Sequence, residues 1–159
     1  MSTFKQALGA ASQGITVTLA GLTQASARES TAIDNTTNLY LDAIVYLAVV
    51  VPAGTPAVQK SVNVWFYGSE DGTNYTTNAT GSDAAVTMTT PTNLRGPFSI
   101  AVPAGGVTYK AVIPSVAAYF GGVLPPKWGI VVENQTNITL GATEGNFTKE
   151  YRGVYATLV

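Results

Sequence analysis

The chain has 159 residues, no cysteine, no histidine and a net charge of −1. Because Cys and His supply thiol nucleophiles, most transition-metal ligands and the commonest general base, their absence argues against thiol, zinc–thiolate, iron–sulfur and histidine-dependent chemistry. Only 11% of the residues are charged, compared with about 25% in ordinary soluble domains. We therefore expect one structural domain with no cofactor and no enzymatic activity, whose surface is largely covered by neighbouring proteins.

The N-terminal segment carries apolar side chains at the spacing of one helical face, with Phe4 and Leu8 the largest. An isolated helix of this length is not stable in water. Residues 1–13 are therefore predicted to be an arm or a short helix that orders on a neighbour, in front of a β-sandwich domain over residues 14–159.

From residue 14 the apolar period changes to two, and the alternation of Ile15, Val17 and Leu19 with smaller or polar residues predicts a strand. Residues 39–51 form the longest strand candidate and are apolar on both faces. Such a strand is expected in the centre of a sheet, with one face on the core and the other on a partner or an arm.

The rest of the chain is divided by Gly, Pro and Asn turn signals into short strand candidates. These are residues 61–67, 98–102, 108–112, 129–133, 137–140 and 154–158. Residues 76–91 are predicted to be a loop or an edge region, and residues 114–120 irregular or helical. About eight or nine short strands with scarcely any helix predict an all-β, single-domain antiparallel β-sandwich of the jelly-roll type.

Three kinds of partner or location are not favoured by the sequence. The eight Lys and Arg residues are scattered singly, so no basic patch for nucleic acid is expected. The longest apolar run, residues 43–52, is much shorter than the roughly 20 residues that cross a bilayer, so no membrane association is expected. The N-terminus lacks the pattern of a signal peptide, so export by that route is not expected.

Acidic residues were considered as catalytic or metal-binding groups. The candidates are Glu70 with Asp71 in a turn, and the pairs Asp34 with Asp42 and Glu133 with Glu144. The turn does not have the spacing of a twelve-residue calcium loop, and a solvated hairpin turn is favoured. The pairs would suit a glycosidase only at a fixed carboxylate separation, which sequence does not supply. No catalytic, metal or cofactor-binding residue is therefore predicted.

Aromatic residues suggest a different kind of site. Trp65, Trp128, Tyr119 and Phe120 could form a platform on which sugar rings stack. No polar cluster around them specifies a ligand, so a place in the core or in a subunit interface is favoured.

Five short motifs occur in a fixed order over most of the chain beyond residue 25. They are Ile33-Asp34-Asn35 with Leu39-Tyr40-Leu41-Asp42, Tyr67-Gly68-Ser69-Glu70-Asp71-Gly72, Asn93-Leu94-Arg95, residues 120–134, and Tyr151-Arg152-Gly153-Val154-Tyr155. In this order and spacing the motifs resemble a recurrent pattern in small structural proteins of tailed bacteriophages.

The resemblance implies a jelly-roll cement or decoration subunit, made in the bacterial host cytoplasm, that binds the major capsid protein on the outer capsid surface of the virion. Such subunits are often trimers at three-fold positions, so a homotrimer is expected. We expect the partner interface to include Phe4, Leu8, Tyr119, Phe120, Leu124, Pro125 and Trp128. Two alternatives stay open: a tail or fibre module that binds host glycans through Trp65 or Trp128, and a tail-tube or head-completion protein.

Overall fold

The computed structural model describes residues 3–57 and 59–159 and shows two antiparallel sheets packed against each other. The first sheet contains β1 (Phe4–Leu8), β2 (Gln13–Gly14), β5 (Asp42–Val51), β9 (Val107–Ile113) and β11 (Thr148–Leu158). The second contains β3 (Ala27–Glu29), β4 (Ile33–Asp34), β6 (Ser61–Ser69), β7 (Ala84–Val86), β8 (Arg95–Ala101) and β10 (Lys127–Gln135). Two 3-10 helices span Ala117–Phe120 and Glu144–Asn146. The predicted all-β antiparallel sandwich is confirmed.

The strand order explains how the chain closes the sandwich. The first sheet runs β1–β11–β5–β9, with β2 also on β11, and the second runs β7–β3–β10–β6–β8, with β4 also on β10. The connections β5 to β6, β8 to β9, β9 to β10 and β10 to β11 all pass from one sheet to the other. This repeated crossing between two antiparallel sheets is the arrangement of a jelly roll.

Strand β5 supplies the clearest case of period two. Its inward residues are buried almost completely: Ala43, Val45, Leu47, Val49 and Val51. The inward residues of β6 and β10 face them across the core: Val62, Val64 and Phe66, with Trp128, Ile130 and Val132. The strand begins at Asp42 rather than at residue 39, because Leu39 has a φ of +52°, which interrupts an extended run. Leu39 and Leu41 are consequently exposed.

The predicted strand after residue 14 donates to β11 only at Ile15, whose N–H bonds to the Lys149 carbonyl over 2.8 Å; further on, carboxylates accept its N–H groups. Thr18 donates its N–H and its hydroxyl to Asp83, over 3.1 and 2.6 Å, and Leu19 donates its N–H to Glu144 over 2.8 Å. Alternate side chains are buried as predicted, namely Ile15, Val17 and Leu19. The alternation of apolar and polar residues therefore predicted the buried face correctly, although only Gln13–Gly14 forms a strand in this region.

The helical alternative for the N-terminal segment is wrong, because Phe4–Leu8 forms β1. Strand β11 pairs with β5 only as far as Val154 and then continues to Leu158. The N–H and C=O groups of this extension need partners. On the edge of β11 that faces away from β5, strand β1 supplies these partners, with Leu8 opposite Val154 and Phe4 opposite Leu158. Residues 1 and 2 of the predicted arm lie outside the described residues.

One further prediction needs correction. Residues 137–140 form no strand, because Asn137 has a φ of +66° and the Asn134 side chain donates to the carbonyls of Leu22 and Ile138, which holds a turn. The region over residues 76–91 agrees with the predicted loop or edge region, since it contains β7, the short edge strand of the second sheet. The 3-10 helix Ala117–Phe120 agrees with the irregular or helical prediction for that region.

Gly129 offers a test of packing on the outer face of the second sheet. A Cβ at this position would lie 2.3 Å from the Tyr67 ring, which is fully buried and donates its hydroxyl to the Ser30 carbonyl over 2.6 Å. Gly129→Ala should therefore lower the free energy of unfolding by about 1–3 kcal/mol in urea denaturation. Gly14→Ala is the matched control, because nothing lies within 4 Å of a Cβ added at Gly14. This variant should change the free energy of unfolding by less than about 0.5 kcal/mol. Equal losses would contradict this account.

Acid should weaken the hydrogen bonds that hold Leu19 and Ala20 to the Glu144 carboxylate. Burial raises the pKa of the Glu144 carboxyl, but the Lys149 ammonium and the N–H groups of Ala20 and Leu19 outweigh burial and hold the pKa below its ordinary value. A carboxyl with a depressed folded-state pKa stabilises the fold above its unfolded pKa of about 4.3, and this stabilisation is lost as the pH falls through the folded-state pKa.

Glu144→Gln cannot titrate, so the stability difference between wild type and variant should be large at pH 7 and much smaller at pH 3. Urea denaturation at both pH values measures it. A difference that stays constant with pH would contradict the role assigned to the charge.

Candidate functional site

The outer face of the first sheet carries four of the ten large apolar side chains that are exposed in the described part of the chain. Ala43 and Val45 of β5 point into the core, so the residues that alternate with them, such as Ile44 and Tyr46, point outward. The residues paired with these on β9 and β11 point outward too, as do the residues of β1 paired with them in turn. We call this set the outer apolar face. Its members are Phe4, Leu8, Ile44, Tyr46, Val112, Val154 and Leu158.

The exposure of this face is large for a protein surface. Phe4 is 76% exposed, Leu158 59%, Val112 57% and Leu8 47%. Burial of a Phe, Leu or Val side chain is worth about 1.5–3 kcal/mol, so a partner that covers this face gains a substantial driving force. Exposed large apolar side chains gathered on one face are typical of a protein–protein contact.

Charged residues border an apolar groove on the same face. The groove has a volume of about 220 Å³. Its apolar lining includes Leu8, Ile44, Tyr46 and Val112, and its charged lining residues are Glu150 and Arg152. Glu150 lies opposite Tyr46, and Arg152 lies opposite Ile44. Because β11 lies between β1 and β5, these two charges stand within the outer apolar face, between Leu8 on one side and Ile44 and Tyr46 on the other.

Strand β1 adds an unpaired sheet edge to this face. Thr3 and Val159 exchange both backbone hydrogen bonds over 2.9 Å, and Gly9 donates to Gly153 over 2.9 Å. Because bonding alternates along an antiparallel ladder, the N–H and C=O groups of Phe4, Gln6 and Leu8 point away from β11. An edge with free backbone groups can bind a further strand.

The seven predicted interface residues do not share one surface. Phe4 and Leu8 belong to the outer apolar face, and their contact with a partner stays a prediction. Tyr119 and Phe120 are half-buried, and the Tyr119 ring stacks on Phe66 with centroids 4.4 Å apart. Both are partly accessible.

The expectation of an exposed apolar surface is wrong for Leu124, Pro125 and Trp128, which are buried. Trp128 points inward from the central strand β10 and meets the Tyr151 ring edge-on at 5.4 Å, so its accessible fraction falls to 1%. The apolar residue of this region that stays exposed is Val123, at 72%.

The aromatic platform for sugars does not form from the predicted residues. Trp65 lies opposite Val131 and Trp128 lies opposite Gly68, positions of opposite parity, so the two indoles project from opposite faces of the second sheet. Trp65 is half-buried and donates its indole N–H to Glu133 over 3.0 Å. The four aromatic residues therefore form no common platform, and Trp128 lies in the core, one of the two places that the sequence favoured.

Three of the sequence motifs meet instead in a cleft beside the second sheet, which sequence reasoning missed. The cleft has a volume of about 610 Å³ and is lined by parts of residues 68–77 and 92–95, with Phe120 and Pro125. We call it the Arg95 cleft. The motifs that carried the resemblance contained its residues, but their convergence depends on which segments the fold brings together.

The acidic candidates have structural partners. Asp71 accepts hydrogen bonds from the N–H groups of Thr73 and Asn74, the Asn74 amide and the Ser69 hydroxyl, and the N–H groups and amide of its turn hold the pKa of its carboxyl well below the usual range. Its carboxylate thus holds the turn that follows β6. The turn is not the predicted hairpin, because β6 pairs with β10 and β8 while the next strand, β7, pairs with β3. Among the described residues, no group of three or more acidic side chains is positioned to hold a metal ion.

The predicted carboxylate pairs are likewise engaged separately. Asp34 forms an ion pair with Lys127 at 2.6 Å, whereas Asp42 accepts the N–H groups of Ala43 and Ala117. The further pair divides in the same way, since Glu133 accepts from Trp65 and Asn63 and Glu144 pairs with Lys149.

Comparisons with known proteins add no identification: no family model matches the chain, and neither the curated proteins nor the solved structures contain a significant match. Within the described ranges, no helix has the length and apolar character needed to cross a membrane.

Proposed function

We propose that this chain is a virion structural protein, a capsid cement or decoration subunit that binds the outer surface of a tailed-bacteriophage capsid. The observation that supports this proposal most is the outer apolar face, where Phe4 and Leu158 lie side by side and are both more than half exposed. The low charge of the chain suits the same role, because few ions must lose water when such a face is covered.

In the proposed arrangement the outer apolar face packs on the major capsid protein and the stiff sandwich bridges neighbouring capsid subunits. The groove bordered by Glu150 and Arg152 receives an apolar side chain of the shell, and the two charges fix its orientation. Stabilisation of the shell comes from added buried interface, without chemistry. We propose a homotrimer at the three-fold positions, with synthesis in the bacterial host cytoplasm.

A tail-tube or head-completion role has one supporting observation, the free edge of β1. Edge strands that join neighbouring subunits would build a six-fold or twelve-fold ring. The two roles differ in symmetry, so one measurement separates them.

Electron cryomicroscopy of particles assembled from the capsid genes of the genome that encodes this chain tests the proposal. Density that fits the sandwich is expected on the outer shell, with the outer apolar face toward the capsid. Particles prepared without the chain should lack that density and should break at a lower temperature. Density confined to the tail or to the neck would reject the cement role.

Substitution of Phe4 tests which surface docks. Phe4→Asp places a charge in the proposed interface and should weaken co-sedimentation with capsids by about tenfold or more, since it removes the burial of one aromatic side chain and adds a charge to desolvate. Val123→Asp is the matched control, because Val123 is equally exposed but lies on a different surface, and should bind normally.

Thermal melting checks that both variants are folded, which is expected because both side chains are more than 70% exposed. Normal binding by Phe4→Asp, or equal weakening by Val123→Asp, would contradict docking through the outer apolar face.

A further inference from the structure

The Arg95 cleft is separate from the outer apolar face and has the construction of a small-ligand site. Its volume of about 610 Å³ falls within the range of roughly 300–1,000 Å³ that is usual for such sites. Three segments distant in sequence form its walls: the end of β6 with the turn that follows, the residues that lead into β8, and the loop around Phe120. Convergence of several segments on one concavity allows polar groups to reach a ligand from different directions.

The floor of the cleft is apolar and closely packed. Phe120 and Pro125 lie directly against Gly68, since a Cβ at Gly68 would be 3.1 Å from Phe120 Cε1 and 2.9 Å from Pro125 Cγ. Tyr75 forms a further wall and meets the buried Tyr67 ring edge-on, with centroids 5.8 Å apart. The half-buried rings of Phe120 and Tyr75 thus line the cleft from positions fixed by their neighbours.

The rim of the cleft is polar and carries groups without protein partners. Arg95 and Glu70 are both exposed, and neither takes part in the three ion pairs of the described residues. Asn93 donates its amide to Thr77 over 3.2 Å and Asn74 donates its amide to Asp71, and the amide oxygens of both accept no hydrogen bond from the described residues. The rim therefore offers a cation, a carboxylate and neutral amide acceptors around the apolar floor.

The wall that carries these groups is ordered in advance. Asp71 fixes its turn through the N–H groups of Thr73 and Asn74, over 2.8 and 2.7 Å. Thr76 donates its N–H to the Gly68 carbonyl over 3.0 Å, and Gly68 donates its N–H to the Thr76 hydroxyl over 3.1 Å. A ligand that binds here does not have to order the loop, which lowers the entropic cost of binding.

We propose that the Arg95 cleft binds a neutral saccharide. A sugar ring presents a face of C–H groups, which packs on Phe120, Tyr75 and Pro125, and an edge of hydroxyls, which both donate and accept hydrogen bonds. Arg95 can donate to such hydroxyls, and Glu70 can accept from them. The presence of both charges favours a neutral ring over an acidic one, because Glu70 would repel a carboxylate or phosphate.

The proposal does not rest on the capsid role and concerns a different surface. Saturation-transfer difference NMR tests it, with the purified chain and a panel of glucose, galactose, mannose, N-acetylglucosamine and disaccharides of these sugars. At least one member should bind, with saturation strongest on the ring C–H protons, since those face the aromatic floor. Glucuronic acid should bind more weakly than glucose.

Arg95→Ala and Glu70→Gln should each weaken the bound saccharide by about tenfold, because each loses hydrogen bonds made by a charged group. Arg152→Ala, on the outer face of the first sheet, is the matched control and should bind the saccharide normally. Arg95→Ala should still attach to capsids as wild type does, so failure of this proposal and failure of the cement role are distinguishable.

Absence of binding by the whole panel would overturn the proposal, as would binding that Arg95→Ala leaves unchanged. Binding of an unrelated acidic hexapeptide that depends on Arg95, with no saccharide bound, would assign the cleft to a peptide instead.

Discussion

Burial of the inward side chains of β5 against β6 and β10 is the contact on which the rest of the molecule depends. Every alternate residue of β5 from Ala43 to Val51 is almost inaccessible to solvent, and the facing strands contribute Phe66 and Ile130 at the same depth. Because a strand presents opposite faces at successive residues, fixing the inner face also fixes what lies outside. The apolar outward face of β5 is therefore only partly covered by the fold: Ala48 is buried, whereas Ile44 and Tyr46 stay partly accessible.

The two sheets treat their outer faces differently, and this asymmetry separates the two candidate sites. Residues between β6 and β8 fold over the outer face of the second sheet and bury Tyr67 and Val131 in a second small core. This covering segment also builds the wall of the Arg95 cleft. On the first sheet the residues around Gly141 cover Val50, whereas Phe4 and Leu158 at the other end stay exposed. One surface is thus suited to a broad partner and the other to a small ligand.

Part of the outer apolar face could be predicted from the local pattern of apolar residues, whereas the Arg95 cleft could not. Phe4 and Leu8 were predicted to contact a partner, and they lie exposed on the outer apolar face although they form a strand and not a helix. Trp128 was misplaced because composition does not tell an interface aromatic from a core aromatic, and β10 turns its indole inward. The Arg95 cleft needed the spatial meeting of Gly68 and Phe120, which are distant in sequence.

The sequence by itself determined the all-β class, the inward residues of the long strands and the absence of histidine and cysteine chemistry, since period two and composition are local properties. Only the tertiary structure decided that Phe4–Leu8 is a strand, because the edge of β11 that faces away from β5 carries backbone groups that need partners, and β1 lies along that edge. It also decided that Asp83 and Glu144 bind the backbone N–H groups of Thr18 and Leu19 in place of a neighbouring strand. The backbone groups of β1 and of Thr18 and Leu19 form hydrogen bonds with residues far away in the chain. No local sequence pattern specifies which distant residues will meet.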